Sequence, residues 1–369
     1  MAGIYIHIPF CKRACHYCNF HFATSLHYKD GLISALLKEI ELKKDYLGGE
    51  KIETIYFGGG TPSLLNIEDL LLMIEKIKTV FVITADAEIT LEANPDDITD
   101  EKLSGWKETG INRLSIGIQS FFEEDLKWMN RAHTAKQAIS NLQLAKNYYG
   151  NITIDLIYGT PSLTNKKWKQ NVGTAISLNI PHLSCYALTV EPKTPLDKMI
   201  RQHQVENINP EKQSEQFLLL MQWMEEAGYE HYEISNFART GWRSRHNSSY
   251  WQGKKYLGIG PSAHSYNGSE RQWNIANNNI YMESIQRGIV PFEIEVLTPV
   301  QKLNEYIMTS LRTIEGLKLD AIDKADADKL KIAGMKYIEQ GLMKLETNSL
   351  ILTKEGRLLA DGIAADLFF

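Results

Sequence analysis

The chain has 369 residues, a length that suits two domains. Apolar residues make up 43% and charged residues 23%, a globular balance that excludes a disordered or fibrous chain. With 40 Lys and Arg against 45 Asp and Glu, the formal net charge of −5 argues against a nucleic-acid backbone as the main partner.

No window reaches the roughly 18 uncharged apolar residues of a membrane span, so no integral membrane segment is expected. The N-terminus, Met1-Ala2-Gly3-Ile4-Tyr5-Ile6-His7-Ile8, has no basic leader and reads as a core strand. A cytoplasmic protein is the expectation. Up to about residue 240, strand patterns (Ile4–Ile8, Thr54–Phe57, Glu88–Glu92, Arg113–Gly117, Thr153–Ile157, His182–Leu188) alternate with amphipathic ones. The helical patterns are Lys29–Asp45, Ile67–Lys78, Ala135–Asn147, Lys167–Leu178 and Gln213–Ala227. Six βα units in series require parallel strands with right-handed crossovers. Six are too few to close an eight-stranded barrel. The fold class is therefore α/β, a partial (β/α)6 TIM-like barrel with its ligands at the carboxyl ends of the strands.

From Leu297 the texture changes to helices, a hairpin (Leu342–Glu346 and Leu350–Thr353) and a closing helix from Lys354, which suggests a winged-helix-like module. Between them lies a stretch rich in Gly, Asn, Ser and aromatics. The expected division is 1–236 for the barrel, 237–296 for a connecting segment and 297–369 for the module.

Cys11, Cys15 and Cys18 form a C-x3-C-x2-C loop directly after the first strand, with Cys185 far away. Three thiolates on one loop can hold three irons of a [4Fe–4S] cluster and leave the fourth iron open. An open iron can chelate the amino and carboxylate groups of S-adenosylmethionine, which one-electron reduction then cleaves. The alternative is zinc with His16 or His21 as fourth ligand, but no second ligand pair accompanies the first. A second motif, Tyr56-Phe57-Gly58-Gly59-Gly60-Thr61-Pro62, follows a strand and lets backbone N–H groups approach a ligand.

Further matches occur in order: Leu91-Glu92-Ala93-Asn94-Pro95, Arg113 to Ser120, Asn130-Arg131-x-His133 and Asp155 to Gly159. With the cysteine and glycine loops, they make the chain resemble the oxygen-independent coproporphyrinogen oxidase family of radical S-adenosylmethionine proteins over nearly its whole length. The resemblance implies that Tyr5, Tyr17, Gly59, Gly60, Thr61, Glu92, Gln119, Arg131 and Asp155 contact S-adenosylmethionine. The oxidase-type enzymes carry a fourth cysteine two residues after the third, and here that position is Phe20. Instead the chain has His246-Asn247-Ser248-Ser249-Tyr250-Trp251, an H-N-x-x-Y-W motif similar to the haem chaperone branch of the family.

That branch implies haem as cargo, with a haem acceptor protein and an electron donor as partners. His246 is then the candidate axial ligand, beside Asn247, Tyr250 and Trp251, because imidazole ligates iron and aromatic faces cover the macrocycle. The competing expectation is radical oxidative decarboxylation of porphyrin propionates. Cys185, His133, His182 and the six other tryptophans read as packing or structural hydrogen bonding. Residues 297–369 hold 10 Lys and Arg against 11 Asp and Glu, so the module has no basic excess. Duplex DNA should therefore show no salt-sensitive binding at micromolar protein in a fluorescence anisotropy titration. Such binding would contradict the reading.

Overall fold

A computed structural model describes every residue from Met1 to Phe369. The six expected units are β1 (Ala2–Ile8) with α1 (Lys29–Leu42), β2 (Ile52–Gly59) with α2 (Ile67–Val80), and β3 (Ile83–Ala93) with α3 (Asp100–Glu108). Then come β4 (Arg113–Gln119) with α4 (Glu123–Trp128) and α5 (Ala135–Tyr148), and β5 (Ile152–Tyr158) with α6 (Asn165–Ser177). The sixth is β6 (His182–Ala187) with α7 (Pro195–Arg201) and α8 (Pro210–Glu226). Strands β1 to β6 lie side by side in chain order and pair in parallel. Ile4, Ile6 and Ile8 are fully buried in an apolar core of 55 residues shared with the helices. The alternate residues Gly3, Tyr5 and His7 turn to the barrel interior, as the two-residue period of a strand demands. Polar caps set the helix starts; Thr134 and Gln137, for example, form a reciprocal capping box at α5.

After α8 the chain adds β7 (Glu230–Glu233) and β8 (Asn236–Ala238), and β8 pairs antiparallel with β6. Helix α9 (Arg245–Trp251) leads back to β9 (Tyr256–Ile259), which runs parallel to β1 on its free side. Strands β10 (His264–Tyr266), β11 (Glu270–Asn274) and β12 (Phe292–Val296) continue antiparallel, with α10 (Asn278–Gln286) before β12. The sheet order is β12-β11-β10-β9-β1-β2-β3-β4-β5-β6-β8-β7, so the barrel stays open. Residues 237–296, expected as a connection, thus supply five strands of the main sheet. Each is only three to five residues long. Runs that short carry too few alternations to register as a period.

The C-terminal module holds α11 (Pro299–Leu311), β13 (Leu317–Lys318), α12 (Lys324–Glu339), β14 (Met343–Glu346), β15 (Ser349–Leu352), α13 (Lys354–Arg357) and α14 (Ala360–Asp366). Its three-stranded sheet, β13-β15-β14, and its helices enclose a separate core of 13 residues that includes Leu311, Leu350 and Ile363. The module docks on the β7–β8 turn: Ile234 N donates to Arg312 O (3.1 Å) and Ile314 N to Tyr232 O (3.0 Å). Arg312 also pairs with buried Glu233 at 3.0 Å and lies over the Trp251 ring at 5.1 Å. No helix is long and apolar enough to cross a membrane.

One buried carboxylate ties the extra strands to the barrel. Glu39 of α1 is fully buried and accepts from Gly260 N (2.8 Å), Asn274 Nδ2 (2.7 Å) and the Tyr281 hydroxyl (2.5 Å). Burial pushes its pKa up, against those three donors. Glu39→Ala strands all three donors in the core and should lower stability by about 3 kcal/mol. A urea midpoint that does not move would contradict this role.

Candidate functional site

At the carboxyl ends of the strands lies a cavity of about 540 Å³, within the range of small-molecule sites. All three clustered cysteines reach it, as do Tyr17, Gly59, Gly60, Thr61, Glu92, Gln119, Arg131 and Asp155. Eight of the nine residues expected to contact S-adenosylmethionine therefore share one wall-to-wall space. They come from the loop after β1, from β2 to β5 at or near their carboxyl ends and, for Arg131, from the loop between α4 and α5.

Backbone hydrogen bonds close the base of the cysteine loop: Cys11 N donates to Ala23 O (3.0 Å) and Ala23 N to Pro9 O (2.9 Å). Lys12 pairs with Asp96 at 2.7 Å and with Asp97, which fastens the loop to the end of β3. Asn130 Nδ2 donates to Ala14 O at 2.8 Å. His16 Nδ1 bonds Trp128 O (2.8 Å) and His21 Nε2 bonds Asn278 Oδ1 (2.7 Å), which ties the loop to α4 and α10. Burial pushes the Cys11 thiol up to about 11 and raises Cys18 as well. A metal centre that takes these thiols as thiolates overrides that cost, because the cation favours the anion.

The glycine loop presses on β1. Gly59 has φ +107°, and a Cβ there would lie 2.6 Å from the His7 ring; at Gly60 it would lie 2.5 Å from Phe10 O. Glycine is the residue that fits both places. Gln119 is left-handed (φ 65°) beside a bulge in β4, a strained placement that turns its side chain into the cavity. Arg131 donates to Asn94 Oδ1 (2.6 Å), Gly117 O (2.9 Å) and Cys15 Sγ (3.3 Å). Its Nε is buried without a partner. An unsatisfied guanidinium N–H beside three thiols and a glycine cradle fits an acceptor-bearing ligand. Burial raises Glu92 to about 7, with Asp155 contributing, and raises Asp155 to about 6. Both carboxyls are harder to ionise than in water, and a cation in the cavity would favour their charged forms.

Tyr5 does not line the cavity; its hydroxyl lies 3.2 Å from His7 Nδ1 and its ring stacks on Tyr56. The H-N-x-x-Y-W motif is also corrected as an open haem site. His246 is 1% exposed, and its Nδ1 and Nε2 bond Thr54 Oγ1 and the Tyr250 hydroxyl, both at 2.8 Å. Neither ring nitrogen is free for iron. Tyr250 packs edge-on against Tyr256, Asn247 donates its backbone N–H to Ser244 Oγ in the first turn of α9, and Trp251 faces Arg312 of the module. The motif plugs the lower end of the barrel. Its anchor is Glu88, which accepts from the N–H groups of Arg245 (3.1 Å) and His246 (3.0 Å) and lies 3.9 Å from buried Arg113.

The Radical SAM superfamily pattern matches residues 5–174, the span that holds the cysteine and glycine loops. The chain is 33% identical to "Heme chaperone HemW" of Bacillus subtilis (strain 168) over 98% of both chains. It is 32% identical to the protein of that name from Mycobacterium tuberculosis (strain H37Rv), covering 99% of this chain and 94% of that one. The chain belongs to the HemW family of radical S-adenosylmethionine proteins. Among solved structures, coproporphyrinogen III oxidase (HemN) from Escherichia coli superposes with a TM-score of 0.86 at 22% identity, over 100% of this chain and 90% of that one. That likeness shows the shared fold. Membership of the radical S-adenosylmethionine superfamily implies a [4Fe–4S] cluster and S-adenosylmethionine, and the HemW-family residues gathered in the cavity fit both groups.

Sequence reasoning missed Asn94 as a site residue, although the run Leu91 to Pro95 contains it. It also missed the mouth of the cavity, where Phe20, Phe22 and Tyr186 gather with Arg13. The raised carboxyls give a pH test of the cofactor-free protein. A group whose folded pKa is raised stabilises below its unfolded pKa and loses that contribution as pH climbs through the folded value. Wild type should therefore lose about 2 kcal/mol relative to the Glu92→Gln, Asp155→Asn double variant between pH 5 and pH 8. Parallel urea midpoints across that window would contradict the burial of these groups.

Proposed function

We propose that this chain is a haem chaperone that holds a [4Fe–4S] cluster and S-adenosylmethionine at the barrel mouth. The observation that carries the reading is kinship at 33% identity, over 98% of both chains, with a protein named as a haem chaperone. Cys11, Cys15 and Cys18 each hold one iron, leaving the fourth for the amino and carboxylate groups of S-adenosylmethionine. When bound and reduced, the cluster supplies the electron that splits the sulfonium. The chain's residues do the positioning. The glycine loop and Thr61 line the methionine end, Arg131 offers its free Nε to an acceptor, and Glu92 and Asp155 offer carboxylates to hydroxyls or an ammonium. Gln119 and Tyr17 close the walls.

The cargo belongs at the mouth rather than at His246. Phe20 is 64% exposed and Tyr186 is 42% exposed, an unusual outlay of aromatic surface beside a cofactor cavity. Aromatic faces suit a flat macrocycle, and the Arg13 guanidinium beside them suits a propionate. Phe20 stands where the oxidase-type enzymes carry a fourth cysteine, so the exchange swaps a thiol for an apolar face.

Anaerobic reconstitution tests this, followed by haem titration, haem transfer to an apo-globin and a coproporphyrinogen assay in parallel. Any one of Cys11→Ser, Cys15→Ser or Cys18→Ser should lose cluster iron, and Cys185→Ser should retain it. Phe20→Ala should weaken haem binding about fivefold, the loss of roughly 1 kcal/mol of stacking. Robust coproporphyrinogen decarboxylation without haem transfer would overturn the reading.

A further inference from the structure

The H-N-x-x-Y-W motif has conspicuous chemistry, yet its His246 is buried and lines no part of the cavity. What it does touch is the underside of the site. The His246 ring stacks on Tyr56 with centroids 4.9 Å apart and planes 24° apart. The Tyr56 hydroxyl donates to Glu92 Oε1 at 2.8 Å, and Glu92 Oε2 accepts the Gly59 N–H at 3.2 Å. A second line runs beside it. His246 stacks on Tyr5 at 6.5 Å, the Tyr5 hydroxyl meets His7 Nδ1 at 3.2 Å, and His7 Nε2 meets His21 O at 2.9 Å. The His7 ring also occupies the space under Gly59 where a Cβ would sit.

We propose that His246 is a positioning residue for S-adenosylmethionine, the floor that holds Tyr56 and through it fixes Glu92 and the glycine loop. Glu92 is a cavity carboxylate whose two oxygens each have one protein donor, and the stronger donor is a hydroxyl at the tip of a ring. A tyrosine ring lying over a void could tilt, and a small tilt at the ring carries its hydroxyl out of hydrogen-bond range. His246 removes that freedom, because three hydrogen-bond partners hold its own position. Its ring nitrogens bond Thr54 and Tyr250, its backbone N–H bonds Glu88, and Gly3 leaves it room at the strand. Side chains that orient a binding group are held by packing and by hydrogen bonds of their own. The inference rests on the reading that S-adenosylmethionine occupies this cavity.

The test measures S-adenosylmethionine binding by equilibrium dialysis and the electron paramagnetic resonance spectrum of the reduced cluster with and without it. Haem titration accompanies both. Tyr56→Phe keeps the stack and the fold but removes the hydroxyl, and should weaken S-adenosylmethionine binding about tenfold, the loss of one hydrogen bond to a charged group. His246→Ala should weaken it as much and alter the spectral change that S-adenosylmethionine induces, with haem affinity unchanged. Because His246 acts through Tyr56, the double variant should bind far better than the product of the two single effects predicts. His246→Phe, which restores a ring under Tyr56, should recover most of the affinity. If His246→Ala binds S-adenosylmethionine normally, or Tyr56→Phe does, the inference is overturned. If His246→Ala loses haem and keeps S-adenosylmethionine, it is overturned in favour of a haem ligand. Wild-type protein that binds no S-adenosylmethionine would overturn the reading beneath it, a result distinct from the others.

Discussion

The carboxylate of Glu88 sits inside a parallel barrel, where an unpaired charge is costly and every oxygen needs a donor. Its answer is Arg113 on one side and the first two amides of α9 on the other. That arrangement draws a helix from a late part of the chain into the lower end of a barrel built by the first 187 residues. Around it the interior is a polar network rather than an apolar filling. Arg113 donates to Thr153 at 2.8 Å, and His182 bonds both Thr153 and the Tyr232 hydroxyl. These bonds join neighbours on different strands, so the shape of the floor is set by many strands at once.

A stiff floor matters because the upper end is built of loops. The cysteine loop has little apolar packing of its own and takes its place from ion pairs and backbone bonds to β3, α4 and α10. The glycine loop follows the surface of β1 with no side chains to hold it. Both loops rest on His7, Tyr5 and Tyr56, and those rings rest on His246. Packing and hydrogen bonds therefore run without a break from the plugged end to the cavity. The open sheet supplies the space, the plug supplies the reference surface, and the strand ends supply the donors and acceptors.

Much of this was legible in the sequence. Strands β1 to β6 read as strands because parallel strands covered by helices are short, β-branched and bounded by polar turns. The three spaced cysteines share one cavity with eight of the nine residues carried over by family likeness. Residues whose role depends on depth or on distant closure were not legible. Tyr5 points inward as the alternation requires, yet it packs on His7 and Tyr56 and does not line the cavity. His246 has the chemistry of a ligand, and only the return of α9 under the barrel shows that both its nitrogens are taken. Strands β9 to β12 were hidden because pairing with neighbouring strands, begun by β9 on the free side of β1, rather than their own periodicity, makes them strands.

The central claim is that the H-N-x-x-Y-W helix stays a buried plug while the cargo is handled at the opposite end. Hydrogen–deuterium exchange of the reconstituted protein, with and without haem, tests it most directly, because backbone amides report local opening. The account predicts that the Arg245 and His246 amides are strongly protected in both states and that haem alters exchange at the cysteine loop near Phe20 and at Tyr186. Haem-dependent exchange in α9, with the cysteine loop and Tyr186 unchanged, would contradict it.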